Sequence, residues 1–493
     1  MPRSRGTLAG AIGWSAIDTW GSALFQIVVL TVLARLLEPR AFGLVAMAGV
    51  YIAFVQVFVE QGLGAALVQR RELERAHLDS AFWIAILTSI VLLTISMMVA
   101  PWVATLFGEP HLASLVRWLS LGLLASAMNG TQRAILQREL AFRQLAIRSL
   151  IAAVIGGVAG ITAALLGLGV WSLVIQSLST VIIGTVVLWR VSHWRPGFRI
   201  STTHLRDLWG FSVSVLGINL LTFVNRRSDD LIIGAVLGPV ALGYYSVAYG
   251  LLRKITNLLV GVTTKVAFPA FARVQDDPAR MRRGFYTATR YTSLIAFPAF
   301  FGILLVAPEL IRGVYGSKWV PSIPVMQILA LIGIIHSVFY FNGTVILSAG
   351  KPQWRLGLAA VNAVTNVVAF AIAVRWGIVA VAAAYVVRGY VVSPLALWLI
   401  HRLIRIEVRV YLRQYIVPLI GSAAMVVTVL LLRHLVGESL KPTAALGLYV
   451  AAGGAMYTLA IHLRAPDTWR DLLRTARSGV PTTTGPATTN PAG

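Results

Sequence analysis

The sequence predicts an all-α integral membrane protein with about fourteen transmembrane helices. Hydrophobic residues make up 57% of the 493-residue chain and charged residues only 12%, and the mean hydropathy is +0.79. A soluble domain averages about 25% charged residues. A helix that spans the bilayer needs about 20 mostly apolar residues, and such windows follow one another along almost the whole chain.

The apolar windows give the predicted spans in chain order. They are 10–36, 41–68, 79–106, 112–135, 144–167, 169–191, 208–237, 240–270, 285–312, 322–348, 355–375, 378–401, 412–434 and 442–463. The first window is longer than the apolar region of a signal peptide, so we expect it to remain as a span. The segment 465–493 is rich in Pro, Thr and Gly, and we expect a disordered cytoplasmic tail.

The basic residues indicate topology rather than nucleic-acid binding, although the net charge is +24. Most Lys and Arg fall in segments on one side of the predicted spans, such as "QRRELERAH" and "HRLIRIEVRVYLR". The positive-inside bias places those segments and both termini in the cytoplasm. Since no basic domain stands apart from the membrane, we expect no nucleic-acid partner. The chain has no cysteine, which excludes disulfides and thiolate metal sites.

Short motifs recur in the same order in the two halves of the chain. The segment "LLEPRAFGLVAMAG" (36–49) matches "VLGPVALGYYSVAY" (236–249), and "NGT" occurs at 129–131 and 342–344. Because an even number of spans separates the copies, the repeat predicts two parallel six-helix lobes around a central lumen. The predicted divisions are an N-terminal lobe 1–191, a cytoplasmic linker 192–207, a C-terminal lobe 208–401 and two additional C-terminal helices in 402–464. We interpret the turns at Pro39 and Pro239 as hairpin geometry without ligand contact.

A family resemblance rests on three segments: "DDLIIGAVLGPVALGYYSVAYGL", its degenerate copy "LARLLEPRAFGLVAMAGVY", and the opening "GAIGWSAIDTWGSALFQIVVLTVLARLL". They resemble the polysaccharide exporters of the multidrug/oligosaccharidyl-lipid/polysaccharide superfamily, above all the O-unit flippases and WzxC-like exporters. The resemblance covers nearly all of residues 8–435. It implies a two-lobed fold with a central lumen, and substrates that are glycans on a polyprenyl diphosphate.

We therefore expect a flippase of the bacterial cytoplasmic membrane that serves cell-surface polysaccharide biosynthesis by alternating access. Its expected partners are the lipid-linked glycan and membrane lipids, and candidate protein partners are a polysaccharide polymerase and glycosyltransferases. Two alternatives stay open: a cation-coupled multidrug or organic-cation exporter of the same superfamily, and a non-transport scaffold of a glycan-assembly complex. The charge of the lumen distinguishes the two transporters, because a lipid diphosphate needs a cationic lining and a cationic drug an acidic one.

Catalysis is not expected from this sequence. It contains no Gly-rich phosphate loop, Walker motif or metal-ligating His/Cys cluster, and every predicted loop is short. We expect no cofactor and no metal, and the only ion considered is a coupling proton or sodium ion.

Ionised residues inside the predicted spans are the candidate site, because a charge at the centre of a span costs about 2.5 to 3.5 kcal/mol. Helical spacing puts Asn219 and Arg226 on one face of the seventh span, and Arg253 and Asn257 on one face of the eighth. Arginine can bind phosphate oxygens bidentately. The predicted substrate-binding residues are Asn219, Arg226, Arg253, Lys254, Asn257, His336 and Arg388.

Other interpretations stay open for some of these residues. Arg226 and Asp230 are spaced i, i+4, so their charges can neutralise each other. When Arg227 and Asp229 are included, the charges of the four residues sum to zero. Lys254 can extend its ammonium toward the interface, and His336 can be a hydrogen-bonded core residue.

Asp18 and Glu60 are the candidate coupling residues. The first span enters from the cytoplasm and the second returns there, so the two carboxylates are expected at similar depth. Two carboxylates close together in a low dielectric tend to share one proton. The alternative is a gate contact, or pairing with Arg70 or Arg148 at the inner rim.

Overall fold

The computed structural model describes residues 5–70, 72–198, 201–272, 274, 277–436 and 439–466, and for 5–12, 15–19, 260–270, 272 and 337 the backbone alone. These residues form α-helices without β-strands, and the connections between them include a π-helical turn (Ile311–Tyr315) and two short 3-10 helices (Ser317–Trp319 and Val374–Trp376). The helices are α1 (Arg5–Leu36), α2 (Pro39–Glu60), α3 (Leu63–Gln69), α4 (Arg75–Leu106), α5 (Leu112–Arg138), α6 (Phe142–Leu165), α7 (Trp171–Val191), α8 (Thr202–Ala272), α9 (Pro278–Leu310), α10 (Ser322–Phe339), α11 (Asn342–Ser348), α12 (Pro352–Ala373), α13 (Ile378–Ile404), α14 (Val408–Arg413), α15 (Ile416–Val436) and α16 (Pro442–Arg464).

This is a multi-pass membrane protein. Within the described residues, eleven helices are long and apolar enough to cross a bilayer, and Trp20–Leu36 of α1 and Ser322–His336 of α10 are shorter apolar segments. The all-α membrane class is therefore confirmed. The count of fourteen spans, the six-plus-six repeat and the domain limits stay predictions, and residues 467–493 of the predicted tail lie outside the described part.

Helix α8 contains a break that turns the chain back along the molecule. Gly238 has φ 81° and ψ −178°, a backbone conformation that glycine adopts without a side-chain clash. We call 202–237 the first arm and 239–272 the second arm of α8. The break falls between the predicted spans 208–237 and 240–270.

The turn before α2 and the break in α8 cross each other at very short range. A Cβ atom added to Gly43 would lie 1.7 Å from the carbonyl oxygen of Pro239, and one added to Gly243 would lie 2.0 Å from that of Pro39. Helices in a membrane associate by close van der Waals packing, which small residues permit. These glycines are therefore contact residues between the two predicted lobes, in addition to their place in the hairpins.

Three side chains, which we call the clasp, join α1 to the segment between α9 and α10 on the predicted outer side. They are Arg35, Lys318 and Trp319. Each donates hydrogen bonds to main-chain carbonyl oxygens across the seam: Arg35 to Gly313 and to Val314 (2.6 Å), Lys318 to Arg35 (2.9 Å), and Trp319 to Ala34 (2.8 Å). Trp319 is fully buried and meets the ring of Phe42 edge-on at 5.3 Å. The clasp closes this end of the seam.

The predicted linker 192–207 packs on the predicted N-terminal lobe. Asp79 accepts a hydrogen bond from the amide of Gly197 at 3.1 Å, and Trp83 donates one to the carbonyl oxygen of Gly197 at 2.8 Å. The amide of Ser201 donates to the hydroxyl of Ser80 at 2.9 Å. These bonds attach the described part of the linker, together with the start of α8, to the beginning of α4.

The last two long helices, α15 and α16, pack against α9. Arg433 on α15 binds both carboxylate oxygens of Glu309 at 2.8 Å, and the hydroxyl of Tyr457 on α16 donates to the carbonyl oxygen of Leu294 at 2.6 Å. Both Glu309 contacts come from the single nitrogen Nη2 of Arg433, which also donates to the carbonyl oxygen of Leu305 at 2.6 Å. The contacts fix α15 and α16 to the predicted C-terminal lobe.

Candidate substrate site between the helices

An open cleft of about 270 Å³ lies between α2 and the first arm of α8. Its lining includes Glu60 from α2, with Asn219, Arg226 and Arg227 from α8. Asn219 and Arg226 therefore face the cleft together, as the helical spacing predicts. Glu60 faces the same space, so the cleft carries charges of both signs from the two predicted lobes.

The ion pair inside this set differs from the one that the i, i+4 spacing suggests. Arg227, not Arg226, binds Asp230, with 2.9 Å between Nη1 and Oδ2. The i, i+3 position of Arg227 brings it to the face on which Asp230 is buried. Arg226 is exposed and makes no hydrogen bond or ion pair with the side chains that the structure describes, which leaves its guanidinium available to the cleft.

Asp229 is a buried structural carboxylate, with only 3% of its surface exposed. Its Oδ2 accepts a hydrogen bond from the hydroxyl of Tyr245 and its Oδ1 one from the amide of Asp230, both at 2.9 Å. A buried charge is tolerated when such bonds satisfy it. Asp229 thus stabilises the contact between the two arms of α8.

Arg253 and Arg388 are connected through two tyrosine rings. The guanidinium of Arg253 lies 5.8 Å from the ring centroid of Tyr249, and that of Arg388 lies 5.2 Å from that of Tyr385. The two rings meet edge-on at 6.1 Å. We call these four residues the Arg–Tyr chain. It brings together two predicted site residues that lie on α8 and α13.

A group of asparagines in the predicted C-terminal lobe was not among the predicted site residues. Asn362 on α12 accepts a hydrogen bond from Nη1 of Arg388. Asn366, one turn later, donates to Asn225 on α8 at 3.2 Å, and Asn225 donates to the carbonyl oxygen of Ala359 at 3.0 Å. The signal was available, because Asn362 and Asn366 are spaced i, i+4 in an otherwise apolar window.

The remaining predicted substrate-binding residues are less closely connected. His336 on α10 is exposed rather than packed in the core, and its ring meets Tyr385 edge-on at 6.1 Å. Lys254 is half-buried and Asn257 is exposed on the second arm of α8. Neither of these two makes a hydrogen bond or ion pair with a side chain in the described part. The structure therefore connects His336 to the Arg–Tyr chain, but not Lys254 or Asn257.

Of the two candidate coupling residues, only Glu60 has a side chain within the described part. Glu60 accepts a hydrogen bond from Gln56 at 3.3 Å. Of the basic residues considered as partners, Arg70 pairs with Asp207 at 2.9 Å, and Nε of Arg148 donates to the carbonyl oxygen of Gly184 at 3.1 Å. Pairing of Arg148 with a coupling carboxylate stays an alternative. Asp18 lies in α1, and its side chain is outside the described part.

Comparison with known proteins places the chain among membrane proteins of glycan biosynthesis. It is 26% identical over 492 residues to the teichuronic acid biosynthesis protein TuaB of Bacillus subtilis, covering 97% of this chain and 100% of TuaB. It is 27% identical to the lipopolysaccharide biosynthesis protein WzxC of Escherichia coli, covering 70% of each chain. The fold is similar to that of the lipid II flippase MurJ in an inward closed conformation, with a TM-score of 0.74 at 14% identity over 93% of this chain and 99% of MurJ.

The family model for polysaccharide biosynthesis proteins matches residues 32–324. This match includes α2 to α9, the cleft, the break at Gly238 and Arg253. It confirms the resemblance that the Pro39 and Pro239 segments indicate. The chain belongs to the polysaccharide biosynthesis protein family.

Proposed function

We propose that this protein moves a glycan linked to a polyprenyl diphosphate from the inner to the outer leaflet of a bacterial cytoplasmic membrane. The main observation in support is the Arg–Tyr chain, in which two guanidinium groups on different helices each lie near a tyrosine ring and the two rings contact each other edge-on. The similarity to TuaB and WzxC and the MurJ-like fold support a glycan substrate and a flippase mechanism.

The chemistry of arginine fits a diphosphate that must be captured and then released. A guanidinium keeps its charge at all physiological pH values and presents a planar pair of donors to phosphate oxygens. Aromatic faces stabilise the cations by cation–π contact, typically by about 0.5–1 kcal/mol at exposed sites. Two such cations on separate helices, with Arg226 in the adjoining cleft, attract the headgroup without enclosing it.

The membrane potential acts in the direction of export. With the inside negative, an anion that moves outward gains about 2.3 kcal/mol per charge per 100 mV. A cationic drug exporter would need an acidic lining instead. In this part of the molecule the basic residues Arg226, Arg227, Arg253, Lys254 and Arg388 outnumber the acidic residues Glu60, Asp229 and Asp230. The charge of the site therefore favours the lipid-linked glycan over an organic cation.

The closed clasp corresponds to the state in which the site is shut off from the outer side. Alternating access then requires Arg35, Lys318 and Trp319 to release their acceptors so that the lobes separate there. We propose that both termini and the linker 192–207 lie in the cytoplasm, and the positive-inside bias supports this orientation. A polymerase and glycosyltransferases are proposed to act on the same glycan.

Asp18 and Glu60 are proposed to couple transport to a proton or a sodium ion. The support is the position of Glu60 in the same cleft as Arg226, where a change in its charge would alter the affinity for an anion. Replacing Asp18 by Asn or Glu60 by Gln should abolish the pH dependence of transport while the protein still folds. Unchanged pH dependence in both variants would remove these residues from coupling.

The proposal is tested in cells that accumulate a polyprenyl-diphosphate glycan when they lack their own flippase. The measured quantity is lipid-linked glycan retained in the inner leaflet. A hydrogen bond to a charged group contributes about 1.5–3 kcal/mol, so Arg253→Ala and Arg388→Ala should each slow export roughly tenfold or more. Arg253→Lys keeps the charge but loses the fork, and should lower export only partially.

Arg375→Ala is the matched control, because Arg375 is exposed and lies away from the Arg–Tyr chain in sequence and contacts. It should export normally. Full export by both Arg253→Ala and Arg388→Ala, at wild-type protein levels, would show that these charges serve only helix packing.

A further inference from the structure

Four side chains with ligating atoms meet where the loop before α4 approaches the start of α8. They are Glu74, His77, His204 and Asp207. The ligating atoms of Glu74, His77 and His204 all lie within 4.8 Å of one another, although Glu74 and His204 are 130 residues apart in sequence. The cluster lies at the end of the molecule predicted to be cytoplasmic, away from the Arg–Tyr chain.

His204 is held in the orientation that metal-binding histidines adopt. Its Nδ1 lies 2.6 Å from the hydroxyl of Ser201, and the amide of Ser201 is itself bound by Ser80. Its Nε2 points at Glu74, with 3.2 Å between Nε2 and Oε2. Because a carboxylate oxygen only accepts, Nε2 carries the proton in this contact. With a metal on Nε2 that proton would be lost, and Nδ1 would donate its N–H to the Ser201 hydroxyl, as the second ring nitrogen of a ligating histidine typically does to an oxygen.

His77 supplies an independent sign of a missing partner. The residue is only 1% exposed, yet its Nε2 has no hydrogen-bond partner among the described residues. The closest carboxylate oxygen, Oδ2 of Asp207, lies 3.7 Å away and is already bound by Arg70. A polar atom buried without a partner is unfavourable, and the nearest carboxylate to this atom belongs to the cluster.

We infer that Glu74, His77 and His204 form a binding site for a divalent transition metal, zinc being the best fit, with Asp207 in reach as a fourth ligand. Imidazole and carboxylate donors suit zinc at bond lengths of about 2.0–2.2 Å, which in a tetrahedron puts ligand atoms about 3.4 Å apart. Ligand atoms that lie up to 4.8 Å apart would therefore have to approach one another by up to about 1.4 Å.

Metal binding changes one hydrogen bond in the cluster. The amide of Glu74 donates to Nδ1 of His77 at 3.2 Å, which places the proton of a neutral ring on Nε2. Coordination through Nε2 would move this proton to Nδ1, where it would face the Glu74 amide N–H. The amide would then have to turn away from the ring, so the metal bond would take the place of this long hydrogen bond. The Glu74 side chain, which also accepts from the His77 amide as a helix cap, keeps its second oxygen for the metal.

A bound metal would connect two parts of the chain that the sequence separates widely. Glu74 and His77 belong to the beginning of α4, whereas His204 and Asp207 belong to the first turns of α8. The ion would therefore reinforce the attachment of the linker to the predicted N-terminal lobe. This inference stands apart from the proposed transport function.

The test uses the purified full-length chain, carried on an affinity tag that contains no histidine. Zinc stoichiometry is measured after dialysis, and Co²⁺ is used as a spectroscopic probe because a tetrahedral Co²⁺ site absorbs visible light. The variants are His204→Ala and Glu74→Gln, which change partly exposed or exposed side chains. His193→Ala is the matched control, since His193 is an exposed histidine of the same linker.

The wild type and His193→Ala should bind one metal ion per chain, show the tetrahedral Co²⁺ spectrum and unfold at higher temperature with zinc than with a chelator. His204→Ala and Glu74→Gln should lose the spectrum and the zinc-dependent rise in unfolding temperature. If one variant fails to fold, the metal binding of the other variant is compared with the zinc stoichiometry and zinc-dependent unfolding temperature of the wild type. The inference is overturned if the wild type binds no zinc or cobalt, or if both variants bind as the wild type does.

Discussion

The buried carboxylate of Asp229 is stabilised by a hydrogen bond from the phenolic hydroxyl of Tyr245. The residue lies at the junction of the two arms of α8, where its charge cannot reach bulk water. Tyr245 on the second arm supplies the only side-chain donor to it in the described part. The two arms are therefore connected by a polar contact as well as by apolar packing.

Tyr245→Phe should lower the free energy of unfolding by about 1–3 kcal/mol, because it leaves one carboxylate oxygen buried without its donor. Unfolding in detergent, followed by temperature or denaturant, measures the loss. Tyr244→Phe is the matched control, since the Tyr244 hydroxyl makes no hydrogen bond with a described residue and its ring packs on Trp319. Equal stability of the two variants would contradict the assigned contact.

The charge of Arg388 can be tested without touching Arg388 itself. Asn362→Asp keeps the acceptor of the guanidinium at the same place but turns a neutral contact into an ion pair. If Arg388 binds the substrate through its charge, export should fall severalfold while protein levels stay normal. Asn366→Asp, one turn away and bound to Asn225, should reduce export less, and equal effects would argue against a specific role for Arg388.

At the scale of elements, the crossing of α2 with the α8 break depends on the absence of side chains. Gly43 and Gly243 each face a proline carbonyl oxygen of the other element. A main-chain oxygen cannot turn aside as a flexible side chain can. The crossing distance is therefore set by glycine at both positions.

Gly43→Ala should destabilise the protein or block its folding, although alanine favours a helix over glycine by about 1 kcal/mol. Gly49→Ala on the same helix is the control, because an added Cβ there meets no atom within 4 Å. It should be neutral or slightly stabilising. Expression level and unfolding temperature are compared, and a Gly43→Ala protein as stable as Gly49→Ala would refute the crossing.

Apolar windows predict long helices well and short interruptions poorly. The window 41–68 reads as one span, but the structure ends α2 at Glu60 and begins α3 at Leu63. Gln61 and Gly62 take left-handed backbone conformations there, with φ of 44° and 70°. A break of two residues barely changes the average hydropathy of a window, so this signal cannot reveal it.

At the scale of the whole molecule, the clasp determines whether the predicted lobes can separate on the outer side. The chain has no native cysteine, so pairs of introduced cysteines can be cross-linked without background. Cross-linking Arg35→Cys to Val314→Cys with a short thiol reagent should arrest export, and a reductant that cleaves the linker should restore it. The measurement is the retained lipid-linked glycan before and after reduction.

Tyr51→Cys with Ser96→Cys is the control pair, because these side chains meet at 3.0 Å within the predicted N-terminal lobe. Cross-linking them should leave export unchanged. Continued export with the clasp fully cross-linked would show that the lobes need not part at this point.

Ionised residues in apolar windows can be recognised from the sequence as site candidates, because burying a charge is unfavourable. The partners of these residues cannot be recognised in this way. Arg253 and Arg388 stand out because each is an ionised residue in an apolar window. Their connection through Tyr249 and Tyr385 depends on how α8 packs against α13, which helical spacing within one span cannot show. For the same reason the sequence indicates no cluster at His77 and His204, because their proximity results from the folding of the linker onto α4.

The acceptors of the clasp are all main-chain carbonyl oxygens, and this has a consequence for how relatives diverge. Any amino acid supplies such an oxygen, so these hydrogen bonds place no restriction on the residue type at 34, 313 and 314. Only packing restricts Ala34, which is fully buried, and Gly313, which lies against the main chain of Thr443. The hydrogen bonds restrict only the donors at 35, 318 and 319 in type. Two relatives that share few residues along this seam can therefore retain the same closure, and a search for co-varying pairs would overlook it.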